Sequence, residues 1–226
     1  NKIKYSSIKM FDKENAEGYG IVMHDYVILA FRGTGAKDDG ELSVSAAFKD
    51  FLADIKAWPT ESETQGSVHS GFKTELDKLW PQVTKWLGKK VTTKKIVVTG
   101  HSLGAAMATI CASRLHDLGA DLVLYTFGSP RVGDNIWAKQ FDDIEAYRIV
   151  NNNDIVCRVP PFGYYSHVGF LHYITYDQHI KTDMTSWQMF KDRLKGIFKA
   201  LSKFQPFDAV YDHPGKQYVK KITTRK

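Results

Sequence analysis

Ile96-Val97-Val98-Thr99-Gly100-His101-Ser102-Leu103-Gly104-Ala105 is the stretch whose reading decides the fold. Lys95 to Thr99 is β-branched and short, as a buried strand is. Ala105 to Leu118 reads as a helix, and Gly119 closes it. Between them lies G-x-S-x-G with no spacer. A serine held between a strand and a helix in this way predicts a sharp, strained turn at the C-terminal edge of a sheet. Gly100 and Gly104 remove side chains that would collide where strand and helix approach. The helix N-terminus then offers free N–H groups and the positive end of its dipole to a developing negative charge. That arrangement suits a tetrahedral oxyanion. The competing reading is a glycine-rich turn with an incidental serine.

Working outward, Leu122 to Phe127 and Ala146 to Val150 read as further strands, with a helix over Asn135 to Phe141 between them. Upstream, Tyr19 to His24 and Tyr26 to Phe31 form a hairpin around a His24-Asp25 turn. Phe72, Leu76, Leu79, Val83 and Trp86 recur at helical steps, with Ser70 as N-cap and Pro81 predicting a kink or break. Ala105, Ala108 and Ala112 give the helix after Ser102 a small-residue face that can lie close to a sheet. Strands alternate with helices at the spacing of an α/β fold: a mostly parallel sheet covered by helices. Residues 36–58, acidic and then small, form a long connection of weak periodicity, which in a compact domain is functional or mobile.

A serine hydroxyl needs a base to remove its proton, and the base needs a carboxylate to orient it. On such a sheet the chain order is Ser, acid, His. Asp154, in Asn151-Asn152-Asn153-Asp154, leaves the C-terminal end of a strand, the edge that carries Ser102. His167, His172, His179 and His213 all follow it. Position favours His213, in a turn before a last short segment, Gln217 to Ile222, and leaves His167 as its rival. His101, next to the serine, is read as a packing residue.

The 226 residues are 43% hydrophobic and 13% aromatic, which excludes wholesale disorder and suits one domain over 1–226. No window approaches the length of an apolar membrane span. The chain begins at Asn1 rather than Met, so a removed leader or a trimmed start is expected. Cys111 and Cys157 cannot make a disulfide scaffold or a four-ligand zinc site and are read as packed thiols. Charge is uneven. Residues 181–226 hold 11 Lys and Arg against 4 Asp, a net of +7, whereas the first 180 hold 20 against 21, a net of −1. Between 185 and 204, Trp187, Phe190, Leu194, Ile197, Phe198, Leu201 and Phe204 form an apolar helical stripe beside Lys191, Lys195, Lys199 and Lys203. One reading is a surface helix with its apolar face in the core. The other is an interfacial helix held by anionic lipid.

Four segments resemble the class 3 lipase family, the fungal-type triacylglycerol lipase branch of the α/β-hydrolases. They are Ala30-Phe31-Arg32-Gly33-Thr34, Thr99 to Gly104, Phe127 to Gly133, and Asn153-Asp154-Ile155-Val156 with Arg158-Val159-Pro160-Pro161; Val68 to Phe72 resembles a fifth. The resemblance implies an α/β-hydrolase fold with helices on both faces. It implies Ser102 as nucleophile, Asp154 as acid and His213 as base, the last supported by Asp212 before it and Tyr218 after it. It also implies Thr34 and Leu103 as oxyanion donors. Asp50 to Ile55 resembles the stretch near the family's lid, with residues 36–47 looking inserted before it. The expected activity is hydrolysis of lipid esters through an acyl-enzyme, with no metal or organic cofactor and no nucleic-acid partner. Peripheral contact with a membrane or lipid-droplet surface is expected from the basic C-terminus, and secretion is the favoured compartment. A phospholipase A1, a feruloyl-type esterase and a non-catalytic lipase-like module are the alternatives.

Overall fold

A computed structural model describes residues 5–33, 58–161, 163–202 and 212–223. In chain order the strands are β1 (Ser7–Lys13), β2 (Ala16–Val22), β3 (Tyr26–Phe31), β4 (Pro59–Glu61), β5 (Ser67–His69), β6 (Lys95–His101), β7 (Leu122–Phe127), β8 (Glu145–Asn151), β9 (Phe170–Ile174) and β10 (Ile180–Lys181). The helices are α1 (Ser70–Leu87), α2 (Lys90–Thr93), α3 (Leu103–Asp117), α4 (Asn135–Ala138), α5 (Ser186–Ser202) and α6 (Gly215–Thr223).

Among the described residues the main sheet has the order β1-β2-β3-β6-β7-β8-β9-β10. Its centre is parallel: β3 with β6, β6 with β7, β7 with β8 and β8 with β9. The edges are antiparallel, β1-β2-β3 on one side and β9-β10 on the other. The hairpin expected at the N-terminal side is therefore the inner half of a three-stranded meander. In β3, Val27, Leu29 and Phe31 alternate inward, and in β6 Ile96 and Val98 do so. These side chains meet Phe72, Leu76, Leu79, Val83 and Leu87 of α1 and the buried residues of α3 on one face of the sheet. Phe127 and Ile149 point the other way and pack with Tyr218 and Ile222 of α6. Helices thus cover both faces, and the expected α/β architecture holds.

Two local expectations are corrected. Ser70 does not cap α1. It is the first helical residue, and His69 occupies the cap position with no side-chain bond. Pro81 does not break α1, which runs on to Leu87. Its ring lies on the exposed side of the helix. A third correction concerns Asp134, which from its place beside the predicted helix reads as solvated. Its Oδ1 accepts from the Trp137 N–H at 2.7 Å and its Oδ2 from the Ser67 N–H at 2.9 Å, capping α4 and pinning β5 to it.

Helix α3 is buried on nearly every side, and Ala105, Ala106, Ala108 and Ala112 are all inaccessible. The small side chains let this helix lie directly on β6 and β7. Ala108→Leu should therefore overpack the interface and lower stability by about 1–3 kcal/mol. A urea unfolding midpoint that stayed at the wild-type value would show that the gap is looser than this packing implies.

Helix α5 departs from its core-facing reading. Among its described residues the apolar stripe is exposed. Lys203, Leu201 and Phe204, the end of that stripe, lie outside the residues whose side chains are described.

Candidate active site

Ser102 lies between β6 and α3 with φ 58° and ψ −127°, a conformation that disfavours any L side chain. The turn is fixed by contacts that leave no alternative. The Ser102 N–H donates to the Phe127 carbonyl at 3.1 Å, and the Ser102 carbonyl accepts from the Ala105 N–H at 3.0 Å. A Cβ on Gly100 would overlap the Gly104 carbonyl, and one on Gly104 would overlap the Phe31 carbonyl. The sequence reading of both glycines is thereby given its physical cause. Leu103 opens α3, so its N–H is one of those a helix leaves without an internal acceptor. Thr34, expected as the other oxyanion donor, lies outside the described residues, as do residues 36–57 with the lid-like stretch.

Asp154 follows β8 at the same edge of the sheet and is fully buried. The Nδ1 of His213 lies 2.9 Å from both of its carboxylate oxygens. The Val156 N–H donates to Oδ1 at 2.9 Å and the Tyr218 hydroxyl to Oδ2 at 2.5 Å. Burial works to raise the Asp154 carboxyl. The neighbouring His213 charge, its hydrogen bond and the Tyr218 hydroxyl outweigh burial and hold the group below the usual carboxylate range. A carboxylate can only accept, so His213 Nδ1 carries a proton toward it and Nε2 is left as the acceptor. Tyr218 does more than fill space: its oxygen also accepts from the Asn151 N–H at 3.1 Å, which ties α6 to the start of the acid loop.

His101, the residue before Ser102, packs on His213. The rings of His101 and His213 lie 4.5 Å apart, and His101 Nε2 is 2.7 Å from the His213 carbonyl, to which it must donate. Burial, with the His213 charge as a second cause, lowers His101 to about 4. The ring is therefore neutral at pH 7 and cannot oppose a proton on its neighbour. His101 is a packing residue, as expected, but what it packs against is the backbone and ring of the expected base. A Cβ on Gly128, after β7, would come 2.7 Å from Asp154 Oδ2 and 3.2 Å from His213 Nδ1 and Cε1. Only a glycine lets the β7 loop close over the pair.

His167, the rival base, is held elsewhere. Its Nε2 is 2.8 Å from the Cys157 carbonyl, and burial together with Arg148 and Arg131 pushes its pKa well below the ordinary value. Cys157 and Cys111 are both buried and unpaired, as expected.

Sequence reasoning missed the clamp around the acid loop. Asp212 accepts from the Asn153 N–H at 3.1 Å and from Asn151 Nδ2 at 3.2 Å, and pairs with Lys221 at 3.0 Å. It therefore locks the residue before His213 to two of the three before Asp154, Asn151 and Asn153. The signal was present as a run of three asparagines that begins on the last residue of a strand, all of them buried.

The family model for lipase (class 3) matches residues 28–164, which include Ser102, Leu103 and Asp154. The chain belongs to the class 3 lipase family. Among class 3 and related lipases, a secreted mono- and diacylglycerol lipase of Fusarium solani is 41% identical over 105 residues, 43% of this chain and 31% of that protein. The solved triacylglyceride lipase of Rhizomucor miehei is 27% identical with a TM-score of 0.67, covering 93% of this chain and 78% of that one. A solved triacylglycerol lipase described as having a serine-protease triad at its catalytic centre is 25% identical with a TM-score of 0.65, again over 93% and 78%. The match covers less than half the length of the curated relatives.

Proposed function

We propose that the chain is a serine carboxylic-ester hydrolase acting on lipid esters, an acylglycerol lipase whose triad is Ser102, His213 and Asp154. The observation that carries this reading is the buried Asp154–His213 pair set against the strained turn of Ser102. With Nδ1 committed to Asp154, His213 Nε2 takes the Ser102 hydroxyl proton as Oγ attacks the ester carbonyl. The carbonyl π electrons move onto oxygen, and the Leu103 N–H, with Thr34 as its expected partner, stabilises that charge. Asp154 stays ionised and steadies the imidazolium. The C–O bond to the alcohol then breaks, and His213 hands its proton to the leaving oxygen. A water activated by the same imidazole releases the acid from Ser102. None of these steps calls on a metal or an organic cofactor.

The named activities of the Fusarium and Rhizomucor relatives support an acylglycerol as the ester. The Fusarium relative's description as secreted supports export of this chain as well. A phospholipase A1 is the second reading, favoured by the +7 charge of residues 181–226. Rates on an emulsified triglyceride, a monoglyceride, a phospholipid and a soluble short-chain ester test both. Long-chain acylglycerols should be cleaved faster than the soluble ester. Preferential release of the sn-1 chain of a phospholipid would favour the second reading, and activity confined to the soluble ester would overturn the lipid assignment.

A further inference from the structure

Helix α5 is mounted with its polar side inward. Met189, Asp192, Arg193 and Gly196, at i, i+3, i+4 and i+7, form the face turned to the protein. Met189 packs with Val150, Cys157 and Tyr173. Asp192 is buried and accepts from Asn152 Nδ2 at 2.6 Å and from the Tyr176 N–H at 3.1 Å. The Arg193 carbonyl accepts from Asn153 Nδ2 at 3.2 Å. Gly196 is buried, and a Cβ there would meet Asn152 Oδ1 at 2.5 Å. The helix is thus anchored through polar contacts to the two residues preceding Asp154.

That mounting turns Trp187, Phe190, Leu194, Ile197 and Phe198 outward. Trp187 and Phe198 are 62% and 69% exposed, and Trp187 stacks on Phe190 at 5.5 Å. Single exposed apolar residues are ordinary, but a contiguous stripe of five marks a contact surface. Its charge says what it contacts. Lys191 Nζ lies 5.1 Å from the Trp187 ring centroid and Lys195 Nζ 5.9 Å from that of Tyr176, so cations line one flank of the aromatic stripe. Aromatic and aliphatic side chains beside lysines match the boundary between acyl chains and anionic headgroups. Pairing of two copies through this face would bring two lysine-flanked stripes together and is electrostatically disfavoured.

We propose that α5 is a dock for an anionic phospholipid surface. Trp187, Phe190, Leu194, Ile197 and Phe198 enter the headgroup–acyl boundary, and Lys191 and Lys195 face the headgroup charge. Because α5 is anchored on Asn152 and Asn153, docking brings the C-terminal edge of the sheet, with Ser102 and Asp154, toward that surface. Binding of this kind does not depend on ester hydrolysis, so the two readings fail separately.

The test is vesicle co-flotation of the full chain, with phosphatidylcholine alone and with added phosphatidylglycerol. The chain should float with the anionic vesicles and lose affinity as salt rises. K191E/K195E should weaken that binding at least ten-fold, since each surface lysine contributes roughly five-fold. W187S/F198S should weaken binding to both vesicle types. S102A should float as wild type, and both helix variants should keep wild-type rates on a soluble short-chain ester. Unchanged flotation of both helix variants would overturn the proposal. So would a fall of several degrees in the Tm of W187S/F198S, which would show the stripe covered within the chain. A self-associated wild type that either variant converts to monomer would also overturn it.

Discussion

Ser102→Ala should lower kcat for ester hydrolysis by about 10⁵- to 10⁶-fold, the scale of losing a triad nucleophile. Among the described residues Ser102 is the one hydroxyl on the turn between β6 and α3, beside the Leu103 N–H. Far-ultraviolet circular dichroism should be unchanged, since alanine meets the same backbone as serine. A second substitution at the same site reads the strain. The φ of 58° costs any residue with a Cβ on the order of 1–3 kcal/mol. Ser102→Gly should therefore be equally inactive yet melt at a higher temperature than wild type. Ester hydrolysis that survived in both variants would remove Ser102 from the reaction. A glycine variant no more stable than the alanine variant would show that the turn is not strained.

His213→Gln should lower kcat by about 10⁴- to 10⁶-fold, whereas His167→Gln should leave it within roughly ten-fold of wild type. The contrast follows from partners. His213 faces a carboxylate that holds its tautomer, and His167 faces the Cys157 carbonyl. Glutamine keeps an N–H donor, so Asp154 is not left as a buried charge with no hydrogen bond from this side, a loss that would cost stability and confuse the result. Rates on a soluble ester, with the Tm of each variant, make the comparison. The reverse pattern, activity lost at 167 and kept at 213, would move the base to His167 and break the proposed triad. Asp154→Asn should fall between, at about 10⁴-fold, because an amide donating to Nδ1 turns the ring to the wrong tautomer.

The strand–glycine–serine–glycine–helix pattern was legible because it is local. Gly100 is demanded by backbone approach within five residues, to the Gly104 carbonyl, whereas Gly104 is demanded by the Phe31 carbonyl of β3. The helical face of α1 and the alanine face of α3 were legible for the same reason, since a period of 3.6 survives in any fold that buries one side. Pro81 and Ser70 misled because where a helix starts, and whether it continues past a proline, is set by the packing around it and not by the residue alone. The edge strands β1 and β10 were missed because an edge strand half open to solvent lacks a continuous apolar run. His213 could be ranked above His167 by position, but their chemical difference is a matter of which acceptor lies 2.8–2.9 Å away.

By itself the sequence determined the alternation of strands and helices through the centre of the sheet, the turn that carries Ser102, and the excess of positive charge near the C-terminus. These are properties of spacing and composition. Tertiary structure alone decided that His213 rather than His167 meets Asp154. It also decided that Tyr218, Asp212 and His101 hold that pair from three sides, and that α5 turns its polar face to the protein. Each of those outcomes depends on groups 40 to more than 100 residues apart competing for the same few ångströms, and no local pattern records who wins.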